Sequence, residues 1–259
     1  MTPGLLTQVW PLARRSLMRT LRQPALLASG LVFPLFLYGM NVGGLDFATR
    51  IPGFPTESYA TFALSLTFTF AGMYAVMVAG TQLGEDIRSG FIKRQSLTPL
   101  RGTVLLLGHL TGVVAFATCQ AVIFLVVGFA AGASVAAGAG GALLIVAYVA
   151  FYALAMGSLG LMIALFVRSG EAVQALFPLI TGTLLLSSVS LPRELIQIHW
   201  YRDLTTFNPI SYLVEAPRSL MIEGWQAQPL LLGVLVAGAI LVAALTHAAG
   251  SLRALAVAR

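Results

Sequence analysis

Apolar residues are grouped along this chain in long blocks separated by short polar stretches. Six blocks consist mostly of Leu, Ala, Val and Gly. These blocks are residues 25–44, 59–83, 103–131, 142–167, 172–191 and 229–249. Crossing a bilayer core of about 30 Å takes roughly 20 helical residues. The blocks lack the alternation of barrel strands, and backbone in lipid must satisfy its own hydrogen bonds. The pattern therefore predicts an all-α integral membrane protein with six transmembrane helices.

The composition agrees with a membrane protein. Of the 259 residues, 58% are hydrophobic and 9% are charged, whereas about 25% are charged in an ordinary soluble domain. So few charges cannot cover a soluble protein of this length. The single cysteine, Cys119, lies in an apolar block, where packing is its expected role. The formal charge of +6 is explained by cytoplasmic loops, so we expect no nucleic acid partner.

Basic residues are distributed unevenly over the two sides that six spans create. With the N-terminus inside, eleven of the 15 Lys and Arg residues are cytoplasmic. Those outside are Arg50, Arg193, Arg202 and Arg218. Cytoplasmic loops carry the excess of positive charge. The distribution predicts a single transmembrane domain over residues 1–259 in the cell membrane, with both termini cytoplasmic.

Residues 1–24 precede the first block and contain four arginines and no acid. The arginines are Arg14, Arg15, Arg19 and Arg22, and Leu, Val, Trp and Met residues lie between them. A basic amphipathic helix of this kind binds an anionic membrane surface. We therefore expect an interfacial helix in contact with membrane lipids.

The stretch 84–102, GEDIRSGFIKRQSLTPLRG, lies between the second and third blocks and mixes charges with apolar residues. As a short amphipathic helix it would place Ile87 and Phe91 on one face, and Pro99 would end it. Such a helix could lie under the membrane and contact a soluble protein. A solvated loop is the other interpretation that the pattern allows.

Residues 192–228 separate the fifth and sixth blocks and are too apolar for a plain loop. We expect two short helices, the first from Pro192 through Trp200. The second begins at Asn208-Pro209, where Asn208 is the N-cap and Pro209 is the first helical residue. Glu215 and Arg218, three residues apart, are placed to form an ion pair. The segment fits a re-entrant or interfacial hairpin on the outer side, or a small extracellular cap.

Chemistry-bearing groups are scarce in the six blocks, which contain no Asp, Glu, Lys or Arg. Ion-coupled transport usually needs such a group inside the membrane. Ser158 lies in a Gly-Ser-Leu-Gly sequence without a mid-membrane histidine as a base, so we expect it to pack and not to act as a protease nucleophile. Neither metal-site spacing nor a G-x-x-x-x-G-K-[ST] phosphate loop occurs, so no cofactor, metal or ATPase site is expected. If ATP drives this protein, a partner binds it.

Pairs of glycines four residues apart recur in the apolar blocks. They are Gly39/Gly43, Gly80/Gly84, Gly108/Gly112 and Gly128/Gly132. Small residues at this spacing let membrane helices approach closely. We expect tight helix contacts at these positions, within the chain or across a dimer.

Together these features resemble the permease subunits of type-2 ABC exporters, especially the drug and lipophile export branch of daunorubicin-resistance-like proteins. The resemblance covers essentially the whole chain. It rests on the basic N-terminal helix, six spans with both ends inside, the sequence from Glu85 to Ile92 with the later Thr98-Pro99-Leu100-Arg101, and Asn208-Pro209. The chain departs from the family at Gln95 and Ser96, where an aliphatic run often continues. The polysaccharide or teichoic-acid export branch therefore remains an alternative.

The resemblance implies a permease that is not itself an enzyme and that forms a homodimer or a heterodimer with a second permease. It would dock ATP-binding cassette subunits, which hold ATP and Mg²⁺, through a coupling helix around Glu85–Leu97. The residues expected to couple to that subunit are Glu85, Asp86, Arg88, Gly90, Phe91, Thr98 and Pro99. A channel or scaffold without an ATPase partner is the alternative from a different class.

The family usually places spans two and five along the transport pathway. In this chain that implies a pathway lined by Phe62, Phe68, Phe70, Met73, Tyr74, Met77, Phe177 and Leu184. Such an apolar and adaptable surface suits a lipophilic or amphiphilic small molecule, such as a drug, an antibiotic or a lipid. Direction, outward from the cell, follows from the resemblance alone.

Overall fold

The computed structural model of the chain describes residues 13–16, 18–20, 22–95 and 102–257, most of which are helical. Its α-helices are α1 (Pro24–Leu45), α2 (Tyr59–Arg88), α3 (Phe91–Gln95), α4 (Gly102–Ala130), α5 (Gly138–Val167), α6 (Gly170–Leu185), α7 (His199–Phe207), α8 (Pro209–Ile222) and α9 (Ala227–Val257). Short 3-10 helices cover Asp46–Arg50 and Arg193–Leu195. Residues 13–16 and 18–20 are helical and precede α1; we call them the N-terminal helix.

In the described part of the chain, five helices are long and apolar enough to cross a membrane. They are Leu27–Arg50, Tyr59–Arg88, Leu106–Ala130, Gly138–Val167 and Ala227–Ser251. They correspond to the first, second, third, fourth and sixth predicted blocks. The prediction of an all-helical chain with long apolar spans is confirmed for these five.

The fifth predicted block differs from the expected 172–191 span. Its helix α6 contains 16 residues and ends at Leu185, a length of about 24 Å at 1.5 Å per residue. The carbonyls of Thr183 and Leu186 accept hydrogen bonds from the side-chain amide of Asn208, at 2.7 and 3.0 Å. Because these carbonyls are occupied by Asn208, the helix stops and the chain turns toward α7. The expectation of a 20-residue fifth span is therefore corrected.

Helix α2 lies at the centre of the bundle and contacts α1, α4, α5, α6 and α8. In its most apolar stretch 89% of the residues are buried within the protein, against 17% in the stretches of α1 and α9. Glycines make the crossing with α5 close: a Cβ at Gly160 would lie 2.2 Å from the carbonyl oxygen of Val76. Movement of α2 therefore has to be accommodated by most of the other helices.

The predicted glycine pairs divide into those with close neighbours and those without. A Cβ added at Gly80, Gly84, Gly112 or Gly128 would come within 2.7 Å of another element. Gly39, Gly43 and Gly132 have no such atom within 4 Å in the described chain. The expectation of tight helix contacts is thus confirmed at the first four positions.

Candidate functional site

The carboxylate of Asp86, near the end of α2, is enclosed by three donors from two other elements. Its Oδ1 accepts from Arg15 Nη2 at 2.8 Å and from Arg19 Nη1 at 3.0 Å, both on the N-terminal helix. Its Oδ2 lies 2.9 Å from His109 Nε2 on α4. Asp86 is 3% exposed. We call Arg15, Arg19, Asp86 and His109 the Asp86 cluster; it joins three elements through one buried negative charge.

Further hydrogen bonds fix the N-terminal helix to the same two neighbours. Ser16 Oγ donates to the carbonyl oxygen of His109 at 2.8 Å, and Gln82 Nε2 donates to Thr20 Oγ1 at 3.3 Å. Arg19 also pairs with Glu85. Arg14 and Arg22 stay exposed. Arg15 and Arg19 therefore bind acids of α2, which the sequence did not indicate, while the expected contact of this helix with membrane lipids stays a prediction.

The predicted coupling helix is divided in the structure. Helix α2 continues through Glu85 and Asp86 to Arg88, and Gly90 then adopts a φ of +70°. This left-handed conformation, which residues with a side chain rarely adopt, breaks the helix. Helix α3 then covers Phe91–Gln95. The expected single helix from Glu85 is therefore wrong, while Thr98 and Pro99 lie outside the described residues.

Helix α3 is connected to the Asp86 cluster through Phe91. The guanidinium carbon of Arg15 lies 3.8 Å from the centroid of the Phe91 ring, a cation–π contact. Phe91 and Ile92 are half-buried, and Ile92 packs against the main apolar core. A short helix at the end of α2 is thus attached both to the core and to the N-terminal helix.

A separate ion pair connects the end of α2 with α6. Arg88 pairs with Glu171 in the first turn of α6, and both side chains are largely exposed. Ser169 Oγ caps α6 by accepting from the backbone N–H of Ala172 at 3.3 Å. Exposed pairs of this kind contribute little to stability. The buried Asp86 cluster is therefore the stronger connection at this end of α2.

The sequence also matches the model of a known protein family. A family model described as ABC-2 type transporter matches residues 7–222, which is most of the chain. The chain belongs to the ABC-2 type transporter family. It is a multi-pass membrane subunit of an ABC transporter, with the permease domain of that family. The comparison with curated proteins finds no match.

At the other end of α2 this ABC-2 permease buries Arg218 of α8. Its guanidinium donates to Ser65 Oγ at 2.9 and 3.1 Å and to the carbonyl oxygens of Ser188 and Val189 at 2.6 and 2.8 Å. It also lies 3.9 Å from the centroid of the Phe62 ring. Burial lowers the pKa of Arg218 to about 10, which leaves the group charged at neutral pH.

The expected Glu215–Arg218 ion pair is replaced by other partners. Glu215 accepts from Arg193 Nε at 2.7 Å and from Arg193 Nη2 at 2.9 Å, and from Ser188 Oγ at 2.6 Å. Both side chains of α8 therefore bind the connection after α6, and they share Ser188, whose hydroxyl donates to Glu215 and whose carbonyl accepts from Arg218. The other expectation for this segment is confirmed: Asn208 Oδ1 accepts from Ile210 N at 2.9 Å, and α8 begins at Pro209. The first expected helix, Pro192 through Trp200, is instead the 3-10 helix followed by α7.

The pathway residues expected in this permease differ in their burial. Six of them are buried within the single chain: Phe62, Phe68, Phe70, Met73, Tyr74 and Leu184. Met77 and Phe177 are partly exposed and pack at the edge of the core. Within the described ranges no group of His, Cys, Asp or Glu side chains has the arrangement of a metal site.

Sequence reasoning named Asp86 but missed its partners Arg15, Arg19 and His109. The signal was present in part: Arg15 and Arg19 are four residues apart, on one face of a helix without acids. Glu85 and Asp86, in turn, have no basic residue four positions before them. Only the fold shows that the helix with Arg15 and Arg19 faces the two acids of α2.

Proposed function

We propose that this chain is the permease of an ATP-driven exporter that moves lipophilic or amphiphilic compounds out of the cell. It works as a homodimer or as a heterodimer with a second permease. Separate ATP-binding cassette subunits hold ATP and Mg²⁺ and dock on the segment 84–102. Membership of the ABC-2 type transporter family supports the permease role.

The observation that carries the coupling part of the proposal is the Asp86 cluster. It joins the N-terminal helix, α2 and α4 at the point from which α3 extends. Arg15 belongs both to this cluster and to the contact with Phe91 of α3. A partner that pushes on α3 would therefore move α2, the most buried helix, together with its neighbours.

The proposed cargo class is supported by the interior of the bundle. Among the described residues, the largest fully buried side chains are aromatic or aliphatic, and they include Phe62, Phe68, Met73 and Tyr152. A sugar pathway would need exposed stacking aromatics and polar groups within the spans. Met77 and Phe177, the two expected pathway residues that are partly exposed, would offer cargo an apolar surface, which favours cargo that is itself soluble in the membrane.

The proposal is tested by purifying the tagged chain in mild detergent from its own host and identifying what copurifies. We expect a stoichiometric ATP-binding subunit, ATPase activity stimulated by hydrophobic compounds after reconstitution, and ATP-dependent uptake of a hydrophobic dye into inside-out vesicles. A chain that purifies alone, without ATPase activity, would contradict the proposal and favour a channel or scaffold. Stimulation by polysaccharide precursors, without response to hydrophobic compounds, would contradict the cargo class.

A further inference from the structure

Within the Asp86 cluster, His109 is the side chain whose charge changes near neutral pH. It is 5% exposed, and its Nε2 lies 2.9 Å from Oδ2 of Asp86. An ionised carboxylate can only accept hydrogen bonds, so Nε2 carries a proton and a second proton is taken up at Nδ1. That uptake would turn a neutral donor into a cation at the point where the N-terminal helix, α2 and α4 meet.

The charges around His109 are balanced while its ring is neutral. Arg15 and Arg19 contribute two positive charges. Asp86 and Glu85 contribute two negative charges, and Glu85 pairs with Arg19. Protonation of His109 adds a further positive charge to this balanced set. Because the site is largely closed to solvent, the added charge acts on its neighbours more strongly than it would in water.

The other elements packed against α4 supply no acid for the added charge. Helices α1 and α5 contain no Asp, Glu, His, Lys or Arg, and their tyrosines are neutral near neutral pH. Of the α9 side chains that the structure describes, His247 can become charged, but it is exposed and its Nδ1 lies 2.8 Å from the carbonyl oxygen of Ala243. On α2, Arg88 is paired with Glu171. The proton on His109 is therefore felt mainly by the Asp86 cluster.

Protonation of His109 has opposite effects on the two oxygens of Asp86. At Oδ2 an ion pair replaces a hydrogen bond from a neutral ring, so the attraction increases. At Oδ1 the two arginines are repelled by the imidazolium and share the carboxylate with a third cation. The connection between α2 and α4 becomes stronger, and the connection between α2 and the N-terminal helix becomes weaker.

A small space beside the imidazole brings water close to the cluster. It measures about 10 Å³, roughly the room that one water molecule needs. Its lining residues are Arg15, Ser16, Arg19, Gln82, Asp86 and His109. The side chain of Arg15, at its border, is 38% exposed to solvent. Protons can therefore reach the buried ring without separation of the helices.

We infer that His109 is a pH-sensitive switch that loosens the N-terminal helix from α2 when it becomes protonated. The hydrogen bond from Ser16 Oγ to the backbone carbonyl of His109 does not depend on the charge of the ring, so the helix is loosened and not detached. The switch itself is independent of the proposed function. Its consequence for coupling rests on that function: Arg15 contacts Phe91, so a loosened N-terminal helix would also release α3.

The switch is tested with the full chain in phosphatidylcholine nanodiscs without ATP or a partner subunit. The chain has three histidines, so selective isotope labelling of histidine gives three NMR titration curves, assigned with single His→Gln variants. A nitroxide on Met18→Cys, in a Cys119→Ala background, reports the mobility of the N-terminal helix at an exposed position. Between about pH 8 and pH 5 we expect the ratio of mobile to immobile nitroxide to rise about three- to tenfold, as for the loss of one hydrogen bond. The midpoint should coincide with that of the His109 signal.

Matched variants identify the group that responds. His109→Gln keeps a side-chain N–H donor for Asp86 but cannot become charged, so nitroxide mobility should no longer depend on pH. His247→Gln, at the exposed histidine of α9, should keep the response. A nitroxide on Thr111→Cys, exposed on α4, should report no change. Arg15→Gln removes a repelling charge, so the His109 signal should move at a pH about one unit higher.

A pH response that persists in His109→Gln would overturn the inference, because another group would then be responsible. A His109 signal that does not move between about pH 8 and pH 5, or that moves without a change in nitroxide mobility, would overturn it as well. So would an N-terminal helix that becomes less mobile in acid. Because the assay contains neither ATP nor an ATPase, its failure is distinct from the absence of an ATP-binding partner in the purification experiment.

Discussion

Asp86 and His109 connect α2 and α4 through a hydrogen bond of 2.9 Å in a setting where both side chains are almost completely buried. Two arginines of the N-terminal helix bind the other oxygen of the same carboxylate. A single residue of α2 thus holds two neighbouring elements. If ATP binding by the partner subunit moves the segment after α2, the Asp86 cluster passes that movement to the N-terminal helix and to α4.

Replacing Asp86 by Asn tests the cluster. The variant removes the negative charge but keeps the size of the side chain, so Arg15 and Arg19 lose their buried counter-charge. Removing one partner of a buried ion pair lowers the free energy of unfolding by about 3–5 kcal/mol. Because the side chain of Arg15 is partly exposed to solvent, we expect a loss at the lower end of this range. We expect a lower melting temperature in detergent and weaker stimulation of ATPase activity by cargo.

The matched control for Asp86→Asn is Glu171→Gln, which removes the exposed pair with Arg88 on the same side of the bundle. An exposed ion pair contributes about 0–1 kcal/mol, so the melting temperature should stay nearly unchanged. Equal effects of the two variants would contradict a special role for the buried cluster.

The turn between α2 and α3 depends on the backbone of Gly90. Its φ of +70° is left-handed, and a Cβ at this position would have no atom within 4 Å among the described residues. Substitution therefore acts through backbone strain and not through a clash. Gly90→Val should cost about 1–2 kcal/mol locally and impair ATPase stimulation, whereas Gly90→Asn should be tolerated because Asn adopts this conformation more readily. Similar activity of the Val and Asn variants would exclude the turn as a determinant of coupling.

The crossing of α2 and α5 depends on Gly160. A Cβ there would lie 2.2 Å from the carbonyl oxygen of Val76, so Gly160→Ala should separate the helices and destabilise the protein by about 1–3 kcal/mol. The loss is measured as a lower melting temperature and a lower yield of monodisperse protein. Gly39→Ala is the control, since no atom lies within 4 Å of its added Cβ in the described chain. A stable Gly160→Ala protein would contradict the close crossing.

Arg218 fixes α8 to α2 and to the connection after α6. Arg218→Gln should leave the carbonyls of Ser188 and Val189 without their donor, at about 1–3 kcal/mol for each unsatisfied group. We expect a lower melting temperature and faster proteolysis of the segment 186–208. Arg50→Gln, at an exposed arginine, should change neither. An unaltered digestion pattern for Arg218→Gln would show that this guanidinium does not hold the segment.

The positions of helices could be predicted from the sequence where residues close together in the chain determine them. The length of an apolar block is sufficient to predict a span, which is why five of the long helices lie where expected. Asn208 and Pro209 likewise identify the start of α8 because capping involves only neighbouring residues. The same local reasoning failed for the fifth block, because the amide that occupies the carbonyls of Thr183 and Leu186 belongs to Asn208, more than 20 residues later.

Side-chain partners were predicted less well, for the same physical reason. The spacing of Glu215 and Arg218 favours an ion pair on an isolated helix, but the guanidinium of Arg218 reaches Ser65, which is 153 positions away in sequence. Asp86 was recognised by its place in a charged segment, yet its partner Arg15 is 71 positions away. Burial brings these groups together, and no pattern within one segment contains that information.

In the proposed complex the segment at the end of α2 receives the ATP-binding subunit. Its most direct test replaces single residues by a photoreactive phenylalanine analogue in the assembled complex. We expect the analogue at Phe91 or Arg94, on α3, to cross-link the ATP-binding subunit, and the analogue at Phe207, at the end of α7, to leave it unlabelled. Cross-linking from Phe207, or none from α3 in a complex that hydrolyses ATP, would contradict docking of the ATP-binding subunit at this segment.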